Sequence, residues 1–284
     1  MAKVTKRAVL VGCDYANHPF RLPGCIRDAL DMRDLIVKHL GFVNVKVLSD
    51  EAQPPSALAT AANIKHQLTQ MVESAKAGDV LFFYFSGHGT AIPVLKDGLP
   101  RREEKAIVSA DMHAIPGLFF RQLVNQLPEG ATFTIVSDSG HSGGLLKGEK
   151  VQIGPKPKPL EEKPTPPGTS LIKKTIEFRF VRDIDDIGSG SYPEADDGGI
   201  LLSGCAPEET SYQVATDFGT FAFGAFTKAV LVNVSNDPWI SNKDVVKEAQ
   251  KYVLHVGIYF QHPCLYCSDA NADAPFLGGA PKNP

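Results

Sequence analysis

Two buried-strand patterns in this 284-residue chain each end in a polar, glycine-rich tip. Leu81-Phe82-Phe83-Tyr84-Phe85 runs into Ser86-Gly87-His88-Gly89-Thr90, and Thr132-Phe133-Thr134-Ile135-Val136 runs into Ser137-Asp138-Ser139-Gly140-His141-Ser142-Gly143-Gly144. A histidine at the first tip can take a proton from a nucleophile and return it to a leaving amine. Gly87, Gly89, Gly143 and Gly144 let backbone approach a bound chain, and the amides around Gly89 and Gly140 are candidate oxyanion donors. Asp138 offers fixed negative charge at the same edge, and Asp28 offers more from the helix opened by Gly24-Cys25-Ile26-Arg27-Asp28; both suit a basic side chain. Asp28 is equally the acid expected in a first helical turn, and Asp138 equally a strand-end cap. Ser139, Ser142 and Cys13 are the candidate nucleophiles, although Ser139 alternates onto the opposite face from Gly140.

The elements that must position these residues alternate in type. Ala8 to Cys13 reads as a buried strand, Cys25 to Leu40 as an amphipathic helix closed by Gly41, and Val43 to Leu48 as a second strand. Ala61 to Ala77 reads as a helix, stopped by Gly78-Asp79 before the Phe-rich strand, and Gly117 to Gln126 as a short helix before the fourth. Helices between strands imply parallel pairing through right-handed crossovers, with ligands at the carboxyl edge. Both tips fall on that edge.

From Lys147 to Asp197 the composition changes to Lys-Pro repeats (Lys156-Pro157-Lys158-Pro159) and the stretch Gly188-Ser189-Gly190-Ser191, which cannot bury a core. Within it, Leu171 to Val181 carries enough β-branched and aromatic residues to add a strand or hairpin. Order resumes at Gly199-Ile200-Leu201-Leu202-Ser203-Gly204-Cys205, followed by helices near Ala222 to Asn233 and Ser241 to His255, then Phe260 to Tyr266. The expected organisation is a large lobe, 1–146, a linker, 147–197, and a small lobe, 198–284, that completes the same sheet.

A net charge of −3 with no basic stripe argues against nucleic-acid binding. Five cysteines, an odd number in a long chain, argue against a secreted disulfide framework, and no stretch approaches membrane-spanning length. A cytoplasmic or nuclear protein with no membrane partner is expected.

The segments Ser86-Gly87-His88-Gly89-Thr90, Ser137 to Gly144, Leu202-Ser203-Gly204-Cys205 and His262-Pro263-Cys264-Leu265-Tyr266-Cys267-Ser268-Asp269, with the linker between two lobes, resemble the type II metacaspases of plants. The resemblance implies a caspase-like α/β fold and a Cys-His dyad that cleaves protein or peptide substrates after Arg or Lys. It also implies self-processing in the linker, a monomer, and a place in programmed cell death. His88 matches the dyad histidine, Gly140 stands at the position of the nucleophilic cysteine, and Cys25, Asp28, Ser86 and Asp138 match the pocket for the basic residue. Gly140 has no side chain, so no covalent intermediate can form there.

Most members of that family need calcium. Here the acidic residues after the first tip are thinned to Asp97, Glu103 and Glu104 among Lys96, Arg101, Arg102 and Lys105, and Lys147 stands seven residues beyond position 140. A hard cation repels ammonium groups, so no cofactor or metal is expected, as in the calcium-independent subgroup. His262, Cys264, Cys267 and Asp269 have the residue types of a zinc cluster, but read better as sheet structure. Two readings remain open: a protease whose cysteine has been replaced to stop self-cleavage, and a natural non-catalytic relative that binds basic peptides or partner proteases.

Overall fold

A computed structural model describes residues 4–51, 57–96, 99–155, 168–184, 198–216 and 221–281. Asp97 and the residues 156–159 and 188–191 singled out above lie outside the described residues. The first half contains β1 (Lys6–Gly12), α1 (Cys25–Leu40), β2 (Asn44–Ser49), β3 (Ala57–Leu58), α2 (Ala61–Glu73), β4 (Val80–Ser86), β5 (Gly89–Lys96), β6 (Leu99–Val108), β7 (His113–Pro116), α3 (Gly117–Val124) and β8 (Thr132–Asp138). The second contains β9 (Val151–Ile153), β10 (Ser170–Lys173), β11 (Asp183–Ile184), β12 (Gly199–Ser203), β13 (Tyr212–Thr216), β14 (Phe221–Gly224), α4 (Ala225–Asn236), α5 (Asn242–His255), β15 (Cys264–Tyr266) and α6 (Asp269–Asp273).

The apolar runs of β1, β4, β8 and β12 are buried because helices and loops cover both faces of one sheet, ordered β3-β2-β1-β4-β8-β12-β15-β9. The pairs from β3 to β12 are parallel, while β15 and β9 join antiparallel at one end, giving the expected mostly parallel, caspase-like α/β sheet. One core forms on the face of α2 and α3 and another beneath α1, α4 and α5. Gly41 closes α1 in the left-handed region, at φ 72°, with its N–H on Ile36 O. Thr60 caps α2 by accepting from the Asn63 N–H.

Some elements differ from the sequence-based expectation. α2 stops at Glu73 rather than Ala77, and residues 221–224 form β14 before α4 begins. Two small sheets, β11-β7-β6-β5 and β10-β13-β14, stand at the carboxyl edge. Their strands are short or charge-interrupted, so neither the alternation nor the continuous apolar run that marks a strand is strong in them. Inside the stretch read as a linker, β9 is an edge strand of the main sheet, and the expected strand or hairpin in 171–181 is β10, which ends at Lys173 and is followed by a 3-10 turn over Phe178–Phe180.

α3 also ties down the chain that leaves the second tip. Arg121 is fully buried, pairs with Glu149 at 2.8 Å, and donates to the carbonyls of Leu146 and Lys147. Removing one partner of a buried pair leaves an uncompensated charge. Arg121→Ala is therefore expected to cost about 3–5 kcal/mol in urea unfolding, and Glu149→Gln, which keeps an acceptor, distinctly less.

Candidate active site

Parallel register brings the strand ends into one row. Gly12 on β1 pairs with Ser86 on β4, Ser86 with Asp138 on β8, and Ser137 with Ser203 on β12. Each strand then breaks into its tip, so His88, Gly140 and Cys205 leave the same edge. Gly89 and Gly140 approach so closely that a Cβ on Gly89 would fall on the Gly140 carbonyl oxygen.

His88 is held from three sides. Its backbone N–H donates to Tyr15 Oη at 3.0 Å, its ring lies 4.8 Å from the Tyr15 ring, and its Nε2 lies 2.6 Å from the Phe20 carbonyl oxygen. A carbonyl only accepts, so Nε2 carries the proton and Nδ1 presents a lone pair. Nδ1 is buried and has no hydrogen-bond partner. Burial, opposed only in part by the Phe20 carbonyl, pulls the imidazole down to about 4. Following the His88 ring by NMR should therefore show it neutral down to pH 5, where an ordinary histidine is largely charged. A transition near pH 6.5 would mean that the ring is solvated.

A piece of the chain itself lies across this edge. β10 pairs antiparallel with β13, and the Lys174 N–H continues the pairing by donating to Ser211 O. The Lys174 carbonyl then accepts from both the Gly89 N–H, at 2.9 Å, and the Gly140 N–H, at 2.8 Å. Two residues further on, the Ile176 N–H donates back to Gly89 O at 3.0 Å. A Cβ at position 140 would fall on Thr175 Oγ1 and 2.9 Å from the Lys174 carbonyl oxygen. Residue 140 thus faces the peptide bond between Lys174 and Thr175.

The Lys174 side chain is fully buried in a pocket of opposite charge. Its Nζ donates to Ser86 Oγ at 2.8 Å and lies 3.2 Å from Asp138 Oδ2 and 3.6 Å from Asp28 Oδ2. Asp28 also accepts from Ser86 Oγ and the Gly224 N–H; Asp138 accepts from Thr227 N–H and Oγ1 and from Ser211 Oγ. Cys25 Sγ, on the same wall, accepts from Gln213 Nε2 at 3.1 Å. Burial alone would lower the Lys174 ammonium, but Asp138 and Asp28 hold it above its ordinary value. Burial pushes Asp28 up to about 7 against the pull of Lys174, because two carboxylates share one ammonium.

The structure therefore gathers Cys25, Asp28, Ser86, His88, Gly89, Asp138 and Gly140 around one residue. It does not bring in the other candidate nucleophiles. Ser139 Oγ pairs with Ser137 Oγ, Ser142 Oγ faces Cys205 Sγ, and burial raises the Cys13 thiol well above its ordinary value. Lys105 Nζ reaches Glu103 at 2.8 Å and Glu208 at 3.2 Å. His262 turns to Glu209, at 2.6 Å, and Cys264 Sγ donates to the His262 carbonyl; among the described residues no group of three or more His, Cys, Asp or Glu side chains is placed to hold a metal ion. No described helix is long and apolar enough to cross a membrane.

Lys174 itself, Ser211, Thr227, Gln213 and the Phe20 carbonyl were not identified from sequence. The available signal for Lys174 was weak: a basic pair, Lys173-Lys174, inside the β-branched and aromatic stretch 171–181.

A histidine and a glycine flank a peptide carbonyl that takes two amides on its oxygen, at the edge of a caspase-like sheet. Comparison with known proteins gives the class, cysteine peptidases. Residues 6–148 match the family described as Metacaspase, peptidase C14 domain. Metacaspase-9 of Arabidopsis thaliana is 40% identical over 96% of this chain and 97% of its own length. Metacaspase-6 of the same plant is 29% identical over 96% of this chain and 100% of its own. A crystal structure of a Geobacter sulfurreducens protein shares the fold at 17% identity and a TM-score of 0.66, over 98% of this chain and 100% of that one. The chain belongs to the metacaspase family, cysteine peptidases that act on protein substrates.

Proposed function

We propose that this chain is a type II metacaspase endopeptidase that cleaves after Lys or Arg and processes itself after Lys174, in a form that cannot cut because Gly140 supplies no nucleophile. The observation that carries this reading is the Lys174–Thr175 peptide bond, whose carbonyl accepts from the Gly89 and Gly140 amides while its lysine fills the pocket of Asp28 and Asp138. A planar guanidinium suits the same paired carboxylates.

With a cysteine at position 140, the steps follow from the groups present. His88 Nδ1, unpartnered and with Nε2–H on Phe20 O, takes the thiol proton. The thiolate adds to the Lys174 carbonyl, and the two amides bind the developing oxyanion; one such donor is worth about 10²–10³ in rate. His88 then gives its proton to the Thr175 nitrogen as the C–N bond breaks, and water hydrolyses the acyl-enzyme by the reverse use of the same base. The lobes 1–146 and 198–284 would stay together after the cut, since β8 and β12 are neighbours in one sheet. The protein acts as a monomer.

Calcium is not required in this reading. Lys105 lies between Glu103 and Glu208, so an ammonium stands where a cation would be drawn by those carboxylates. A second reading, a non-catalytic metacaspase that binds basic peptides or partner proteases, is favoured by the same completeness of the pocket without a nucleophile at position 140.

Expression of Gly140→Cys should yield two fragments, the second beginning at Thr175 by mass spectrometry, with or without calcium chelator. Adding Lys174→Ala should abolish that cut. An intact Gly140→Cys chain that also leaves fluorogenic Lys and Arg peptides untouched would favour the binding reading, and a cut only with added calcium would remove the role given to Lys105.

A further inference from the structure

The segment lying in the site has two anchors. Of residues 168–182, only Lys174 and Ile176 are buried, and Ile176 is 3% exposed. Residues 171 and 172, ahead of the basic residue, are only half-buried, and Lys173 is exposed. Beyond the bond, Thr175 is half-buried with its hydroxyl on Thr210 Oγ1, whereas Glu177 and Arg179 pair with each other in solvent.

The backbone sets this alternation. Thr175 bridges Gly89 in parallel, with the Gly89 N–H on Lys174 O and the Ile176 N–H on Gly89 O, so the chain leaving the site runs beside the start of β5. Successive side chains on such a run point in opposite directions, which sends Ile176 inward and its neighbours outward. Ile176 belongs there to the apolar cluster that includes Tyr15, Leu22, Ile107, Val108 and Met112, with Phe20 packed at its margin. The chain is then held at Arg182, whose N–H donates to Met112 O, and by Phe180, whose ring lies tilted against that of Phe20 with centroids 4.6 Å apart.

We propose that the place of Ile176 is a substrate subsite, an apolar socket that takes a branched aliphatic side chain two residues beyond the scissile bond and selects bonds together with the acidic pocket. It rests on reading Lys174–Thr175 as the bond presented for cleavage. The chemical logic is complementary: the acidic pocket recognises one charge, and the socket rejects charge and rewards apolar area. A protein substrate would enter with a Lys or Arg followed, after one small residue, by Ile or Val.

Two measurements test it. In the chain as it stands, hydrogen exchange over residues 171–181 should be slow, unchanged by Ile176→Val, and faster by about tenfold or more with Ile176→Asp, since full burial of an isoleucine is worth about 1.5–3 kcal/mol. In Gly140→Cys, quenched-fluorescence peptides Ser-Leu-Ile-Lys-Lys-Thr-X-Glu should be cut with kcat/KM in the order Ile and Val, then Ala, then Asp, with Asp lower than Ile by about tenfold or more. Equal exchange in all three chains, or equal kcat/KM for every X, would overturn the socket. A fluorogenic amide ending at Lys separates the two ideas: turned over while X makes no difference, it leaves the site reading standing and the socket refuted. If that amide is also inert, both fall.

Discussion

The Lys174 ammonium, withdrawn from water between Asp28 and Asp138, is the interaction that organises the rest of the site. Burying a charge costs several kcal/mol unless partners and hydrogen bonds replace its hydration. Here the replacement comes from distant parts of the chain: Asp28 on α1, Ser86 at the end of β4, and Asp138 at the end of β8. Those acceptors are in turn held by Gly224, Thr227 and Ser211 of the C-terminal part. Taking the lysine away would leave two carboxylates facing each other in a dry pocket. Lys174 stays there because the empty pocket would be electrostatically worse than the filled one.

The second constraint is steric. The Gly89 and Gly140 amides both donate to the Lys174 carbonyl oxygen, and the approach of their two loops leaves no room for a Cβ on Gly89. A Cβ at position 140 meets the Thr175 hydroxyl and Cβ and the Lys174 carbonyl oxygen, so a side chain there requires the Lys174–Thr175 segment to shift. Holding the lysine and its carbonyl thus needs no side chain at 140. His88 fits the same division. Phe20 O fixes its tautomer and Tyr15 Oη holds its backbone N–H, both without any help from residue 140, and its Nδ1 is left without a partner.

Much of this was legible in the chain. The Phe-rich run ending in Ser86-Gly87-His88-Gly89 and the run ending in Asp138 are strands with functional tips because period, apolar content and glycine placement are local properties. Asp28 was legible because a helix start fixes its first-turn residues, and Cys25 only through the family resemblance. The small sheets β5-β6-β7 and β10-β13-β14 were not. β6 carries Arg102, Glu103, Glu104 and Lys105 in succession, which reads as surface, and β14 continues into α4 with no breaker between Phe221 and Ala225 other than Gly224.

By itself, the sequence determined the class of chemistry: which residue types stand at the sheet edge, and that position 140 has no nucleophile. Only the tertiary structure decided which of the chain's 29 lysines and arginines enters the acidic pocket. That choice depends on β10 pairing with β13, on Ser211 taking the Lys174 amide, and on Ile176 reaching the core beyond. Each of these is a contact between residues far apart in the chain, and no local pattern of charge or hydrophobicity encodes it.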